Sequence, residues 1–247
     1  MSFITTEASI VKFKREQLFP ISDDLSIPLL RLMAATNDVR QLQKLVLDLS
    51  AAEPGPTHTE RLIYQGELNY FVRLFCAHLF EAGNVFRNLD STCKNQVDTI
   101  LKNDSEGMEL IKKLRTIYND ESMTGLRETL YKIRNVAASH YEIKGFTDSL
   151  TKQPDEALLT LVRFSGMSRY TIADEIQYRI VIDACRGSVK DYEEKVSQAI
   201  SLAGFLSETV DHLLLALSKE REKAILLHAQ ETVRVPDFRG LSRVISI

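Results

Sequence analysis

Residues 68–89 read Leu-Asn-Tyr-Phe-Val-Arg-Leu-Phe-Cys-Ala-His-Leu-Phe-Glu-Ala-Gly-Asn-Val-Phe-Arg-Asn-Leu, and this stretch decides the fold. Its apolar residues Phe71, Phe75, Leu79, Ala82, Phe86 and Leu89 step by four, four, three, four and three, the period of one helix face. Leu68 and Val72 add a second apolar side, so the helix is expected at the centre of the molecule with Phe75 and Leu79 buried. Upstream, Glu53-Pro54-Gly55-Pro56 is the clearest breaker in the chain. Thr57 or Thr59 can then cap the helix start, which predicts a helix over about 57–88. His78 lies seven residues after Phe71, on the same stripe, and is read as a satisfied core histidine.

Helical spacing continues on both sides. Ser22-Asp23-Asp24 precedes Leu25, Leu29, Leu32 and Met33, with Pro28 in a first turn. Asn37-Asp38 reads as an interruption or cap before Val39, Leu42, Val46 and Leu49. Val97, Ile100 and Leu101 mark a short helix, and Leu110, Ile111, Leu114 and Ile117 another. Ser122 leads into Leu126, Leu130, Ile133 and Ala137. Gly145 and Pro154 bound a connecting segment. Residues 156–164 and 172–185 read as helices, with Gly166 and Gly187 as stops. A last long helix carries Val196, Ile200, Ala203, Leu206, Val210, Leu213 and Leu217, charges opposite. Ile10, Val11 and Phe13 suggest one short strand. Residues 233–247, with Pro236 and Gly240, are expected to run extended or to fray. The fold class is therefore all-α: a single multi-helix bundle domain over 1–247, with a small helical appendage after residue 150 and an extended tail over 230–247.

Composition sets the function classes. The 247 residues are 44% hydrophobic and 26% charged, with 10 Gly and 6 Pro, as in a globular chain with a sizeable core. Net charge is −3, which argues against a chain that binds nucleic acid through overall charge. Residues 105–152 hold eight Lys/Arg and seven Asp/Glu, so no basic stripe runs there and any RNA contact should be local. Cys76, Cys93 and Cys185 are odd in number, widely spaced and lack a CxxC pair; neither a zinc ribbon nor a disulfide scaffold is expected. Glu-x-x-His pairs for a di-iron bundle, phosphate-cradling glycine loops and the Gly-x-Ser-x-Gly elbow are all missing from the sequence. No metal and no cofactor are therefore expected. The charged first twenty residues do not read as a secretory signal, and the longest unbroken apolar runs, such as Leu213 to Leu217, are too short to cross a bilayer. The expected setting is cytoplasmic, with no membrane contact.

One short stretch carries chemistry. Ile133-Arg134-Asn135-Val136-Ala137-Ala138-Ser139-His140-Tyr141-Glu142 joins an arginine, a polar neighbour and a histidine six positions on. Arg clamps phosphate through a planar fork of donors. His takes a proton from a 2′-hydroxyl or gives one to a leaving oxygen, and Asn can hold either in place. Two other Arg-to-His steps occur. Arg73 to His78 lies inside the apolar helix, and Arg221 to His228 reads as two residues on one face of a charged helix. Only Arg134 to His140 combines a polar second residue, small residues between and an expected helix end.

This stretch resembles the signature of the HEPN superfamily, all-helical domains with an Arg, a polar residue and a His four to six positions after the Arg. The run Ala77-His78-Leu79-Phe80-Glu81-Ala82 is similar to an early helix of some members. The motif covers ten residues, and the helical likeness extends over roughly 25–225. The resemblance implies a metal-independent endoribonuclease with a toxin, phage-defence or RNA-processing role. His140 would be the acid or base, Arg134 the phosphate stabiliser and Asn135 their orienting partner. RNA, not DNA, would be the substrate, because the 2′-hydroxyl is the nucleophile. In one straight helix Arg134 and His140 lie about 120° apart around the axis, so either the helix bends or ends near Ala137-Ala138-Ser139, or a second chain completes the site. The resemblance implies the latter, a homodimer with one shared cleft, and adds a cognate antitoxin or nucleotidyltransferase-like protein as a partner. The alternative is a non-catalytic helical module that binds a nucleotide or protein. There Arg134 is a surface residue in an i,i±4 pair network, and His140 a residue favoured by a helix C-terminus.

Overall fold

The apolar stripe of residues 71–89 runs along the longest element of the computed structural model, which describes residues 2–119, 125–138, 147–148, 151, 161–164, 167–185, 187–221 and 225–237. In chain order the elements are β1 (Ser2–Phe13), α1 (Arg15–Leu18), α2 (Ser26–Ser50), α3 (His58–Leu101), α4 (Ser105–Asn119) and α5 (Leu126–Lys132). A π-helical turn (Ile133–Ala138) extends α5, and β2 (Leu161–Phe164), β3 (Met167–Tyr170), α6 (Thr171–Ala184), α7 (Val189–Glu220) and β4 (Ile225–Asp237) follow. The protein is an all-α multi-helix bundle, to which two small antiparallel ribbons, β1–β4 and β2–β3, are added.

α3 starts where the sequence places it. The Thr57 hydroxyl accepts from the Glu60 N–H at 3.2 Å while the Glu60 carboxylate accepts from the Thr57 N–H at 2.9 Å, a reciprocal capping box. Phe75, Leu79, Ala82, Phe86 and Leu89 are fully buried. The helix runs past residue 88 to Leu101, so the separate short helix expected at Val97–Leu101 is its continuation beyond a non-helical Cys93 (φ −122°, ψ 19°). α2 likewise passes through Asn37-Asp38 without a break. Leu32, Thr36, Val39 and Val46 are all buried along its length, and this packing outweighs the weak helix preference of two polar residues.

α2 lies against α3, where the Tyr64 hydroxyl donates to the Leu49 carbonyl at 2.8 Å. α7 closes the bundle. Ser188 caps it by accepting from the Asp191 N–H at 3.0 Å, after Gly187 turns the chain at φ +86°, a backbone angle that suits glycine. Gln43 donates to the Ile200 carbonyl at 3.1 Å, and Arg40 pairs with Ser207 and Asp211. By length and composition α7 is apolar enough to span a bilayer, with a mean hydropathy of 1.4 in its most apolar window. That measure was not visible in unbroken apolar runs. Eleven of its residues are buried in the protein's own core. From α6 and the residue after it, Ile176, Ile180, Val181 and Cys185 enter the same core as α3.

Two helical expectations are corrected. Residues 161–164 are a strand, paired with β3 so that Phe164 faces Met167; residues 152–160 lie outside the described residues. Two branched or aromatic runs separated by Ser165-Gly166 are a hairpin signal, which outweighs the apolar spacing read as helical. Arg221 and His228 do not share a helix either, because α7 ends at Glu220 and His228 sits in β4 opposite Val11. The short strand expected at Ile10–Phe13 is part of the twelve-residue β1.

Candidate functional site

α5 presents the motif by burying its other side. Leu130 and Ile133 enter the core next to α3, and the buried Thr129 hydroxyl donates back to the Gly125 carbonyl at 3.0 Å. From Ile133 the backbone widens into a π-helical turn, a feature that often marks functional positions in helices. The motif is thus not a straight α-helix.

Arg134 sits in this turn with its side chain about one-third exposed (36%). Its Nε donates to Glu81 Oε1 at 3.0 Å, and its Nη1 donates to Asn135 Oδ1 at 2.7 Å. The other Glu81 oxygen accepts from Asn84 Nδ2 at 3.4 Å. A chain of hydrogen bonds, Asn84–Glu81–Arg134–Asn135, therefore links α3 to the π turn. An arginine has five donors, and Glu81 and Asn135 engage two of them. Both expected residues Arg134 and Asn135 are brought together, with Asn135 holding the guanidinium. The third, His140, lies outside the described residues.

The α3–α5 contact carries two further cations, Arg87 and Arg127. Arg127 on α5 has its pKa lowered, first by partial burial and then by the positive charge of Arg87 on α3. Arg87 follows Glu81 by six residues, about 9 Å along the helix. Arg87 and Arg127 thus add positive charge to the contact between α3 and α5, although the surrounding sequence is nearly balanced in charge.

His78 departs from expectation. His78 is half-exposed, with Nδ1 at 3.8 Å from Asp38 of α2, and is not a core residue. Burial on α3 centres on Val72, Phe75, Cys76, Leu79 and Phe86, leaving Phe71 at the margin; seven residues on, His78 falls just beyond it. His212 of α7 is partly buried. Its Nδ1 lies 2.7 Å from Asp104, whose other oxygen accepts from the Gly107 N–H at 2.9 Å at the start of α4. The Gly107 N–H, then His212, hold the Asp104 carboxyl below its usual range. Glu81 and Asp104 were both missed as partners, because 53 and 108 residues separate them from Arg134 and His212.

Among the described residues, no group of three or more His, Cys, Asp or Glu is arranged to hold a metal. All three cysteines are free and buried, and burial pushes the Cys185 thiol up to about 11. A cavity of about 240 Å³ is lined by Leu25, Asn95, Gln96, Thr99, Ile100, Glu220 and Arg221. On α3 it begins 14 residues beyond Glu81, about 21 Å along the axis, and is a separate feature from the motif. No family model, no curated protein and no solved structure matches this chain.

Proposed function

We propose that the protein is a metal-independent endoribonuclease of the HEPN type, with Arg134 and His140 as its reacting pair. The observation that carries this reading is the setting of Arg134. It is partly exposed on a π-helical turn, oriented by Asn135 and Glu81, and followed along the same contact by Arg87 and Arg127. A phosphodiester would accept from Arg134, with the Arg87–Arg127 pair able to meet a neighbouring phosphate. The ribose 2′-oxygen attacks its own 3′-phosphorus, forming the O2′–P bond and breaking the P–O5′ bond. His140 moves the proton, as base to the 2′-hydroxyl or as acid to the leaving 5′-oxygen. Arg134 stabilises the charge that builds on the phosphate. The products are a 2′,3′-cyclic phosphate and a 5′-hydroxyl. The resemblance extends the proposal to a cytoplasmic toxin, defence or RNA-processing role and to an antitoxin-like or nucleotidyltransferase-like partner.

One observation favours a second reading. The Arg134–Glu81 ion pair ties the π turn to α3, as a non-catalytic helical module would need. The test is cleavage of single-stranded RNA in EDTA by wild type, Arg134→Ala and His140→Ala, with helical content monitored. Cleavage by wild type alone, lost on a 2′-deoxy substrate, supports the enzyme. Equal cleavage by wild type and His140→Ala identifies a contaminant and refutes it. An inert wild type whose Arg134→Ala variant is destabilised favours the binding module.

A further inference from the structure

Two large aromatic side chains stand open to solvent among the described residues, Tyr70 and Tyr131. Tyr70 is already covered by Arg73, whose guanidinium carbon lies 5.7 Å from the ring centre. Tyr131 is held from one side only. Phe80 of α3, itself packed against the core, meets it at 5.7 Å between ring centres and 55° between planes, while 52% of Tyr131 stays exposed. On α5 and the turn that extends it, Arg127, Tyr131 and Arg134 are spaced by four and three. Residues at those spacings are neighbours on one helix face, so the ring lies between two arginines separated by about 10 Å of helix axis.

The cations on this face are short of anions. Glu128, beside Arg127, pairs with Lys132 at 2.7 Å. Neither Arg87 nor Arg127 has a carboxylate partner among the described residues. Partial burial, then the charge of Arg87, lowers the Arg127 pKa, whereas an ion pair would raise it. Arg134 has the half-exposed Glu81 at 3.0 Å.

We propose that Tyr131 is a stacking platform for the base of an unpaired nucleotide, with one flanking phosphate at Arg134 and the other at Arg127 and Arg87. Charge and flat apolar surface alternate along a nucleotide strand, as cation, ring and cation alternate here, and stacking of bases on aromatic rings is how such surfaces add to backbone contacts. In a duplex the bases are stacked on one another and closed to side chains, so the site takes single-stranded RNA. Phe80 fixes the ring before the base arrives, which lowers the cost of ordering it. The platform rests on the ribonuclease reading only for the assignment of the phosphate at Arg134 as the one cleaved; binding is measured without cleavage.

The test is fluorescence anisotropy with labelled single-stranded 2′-fluoro RNA, which keeps bases and phosphates and lacks the nucleophile. Tyr131→Ala should weaken binding roughly 5- to 150-fold. Tyr131→Leu, which still covers Phe80, should weaken it as much, and Tyr131→Phe should bind like wild type. Arg127→Ala should lower the slope of log affinity against log salt by about 0.7. The chain contains no tryptophan, so Tyr131→Trp reports from this position alone, and its emission should change on saturation with the single strand. A wild type that binds no single strand, or binds the duplex as tightly, overturns the proposal. So do leucine and alanine variants that bind like wild type, a phenylalanine variant as weak as alanine, or tryptophan emission indifferent to RNA. Intact binding of this pattern with no cleavage of unmodified RNA sinks the ribonuclease and leaves the platform standing; cleavage and binding both indifferent to Tyr131→Ala do the reverse.

Discussion

Gly83→Ala is a substitution whose usual sign the packing should reverse. Gly83 lies in the middle of α3, where replacing glycine with alanine ordinarily stabilises a helix by about 1 kcal/mol. Here a Cβ would stand 2.0 Å from Tyr118 Cε1 and 2.6 Å from Cδ1 and Cζ. Carbon pairs rest at about 3.5–4.0 Å, so the ring must retreat by roughly 1.5 Å. It has nowhere to go. Tyr118 is buried, tilted against Phe86 at 5.9 Å between ring centres, and donates to the Leu79 carbonyl at 3.4 Å. Overpacking of this kind costs about 1–3 kcal/mol, and so large an overlap belongs at the upper end. Subtracting the helix gain leaves a net loss of about 2 kcal/mol, or about 4–8 °C in Tm for a chain of this size. Urea titration of Gly83→Ala, Tyr118→Leu and the double variant measures both terms. With the ring gone, Gly83→Ala should become neutral or stabilising by up to about 1 kcal/mol. A gain in stability from Gly83→Ala in the wild-type background would refute the close α3–α4 approach.

Two further outcomes follow from burial and titration. Phe75→Ala, at a fully buried position, should cost about 3–5 kcal/mol; an unchanged thermal midpoint would place α3 outside the core. Asp104 is held below its usual carboxyl range by Gly107 and His212, so its folded pKa lies under the unfolded value of about 3.9. Its contribution is fully present above that value and is lost as pH falls through the folded pKa. The stability gap between wild type and Asp104→Asn should therefore be full at neutral pH and close below about pH 4. A gap that persists at lower pH would assign the loss to something other than the charge.

The sequence was most legible where local and global signals agreed. The α3 stripe, the Thr57 cap and the Gly187 stop each follow from residues a few positions apart. What it hid depends on distance along the chain. β4 pairs with β1 more than two hundred residues away, and the alternation on each strand means little until its partner is known. His78 was misread because a seven-residue step from a marginal residue was treated as a step from the centre of the stripe. The chemistry of Arg134 was visible as a motif, but its geometry was not. Neither the π turn nor the Glu81 contact has a signature within the ten residues that suggested it.

Whether the Glu81 contact argues for or against phosphate binding is a question of exposure. Arg115 shows the structural case. It bridges Asp90 and Asp98 at 2.7 Å, is 16% exposed, and its partner Asp90 is only 7% exposed. Removing either side of such a pair strands a buried charge, so Arg115 is committed to holding α4 on α3. Arg134 and Glu81 are 36% and 50% exposed, in the range where an ion pair contributes about 0–1 kcal/mol. Hydrogen bonds between two charged partners are roughly twice as strong as neutral ones, and a phosphate can make them to Arg134 without stranding Glu81, whose carboxylate stays hydrated. The pair is therefore strong enough to orient the guanidinium and too weak to withhold it. Glu81→Gln discriminates the two readings of this site. If Glu81 only orients, the variant should keep most cleavage and bind RNA at least as well at low salt. If Arg134 is a structural tie like Arg115, the same variant should loosen the α5–α3 contact, lower stability and leave RNA binding unchanged.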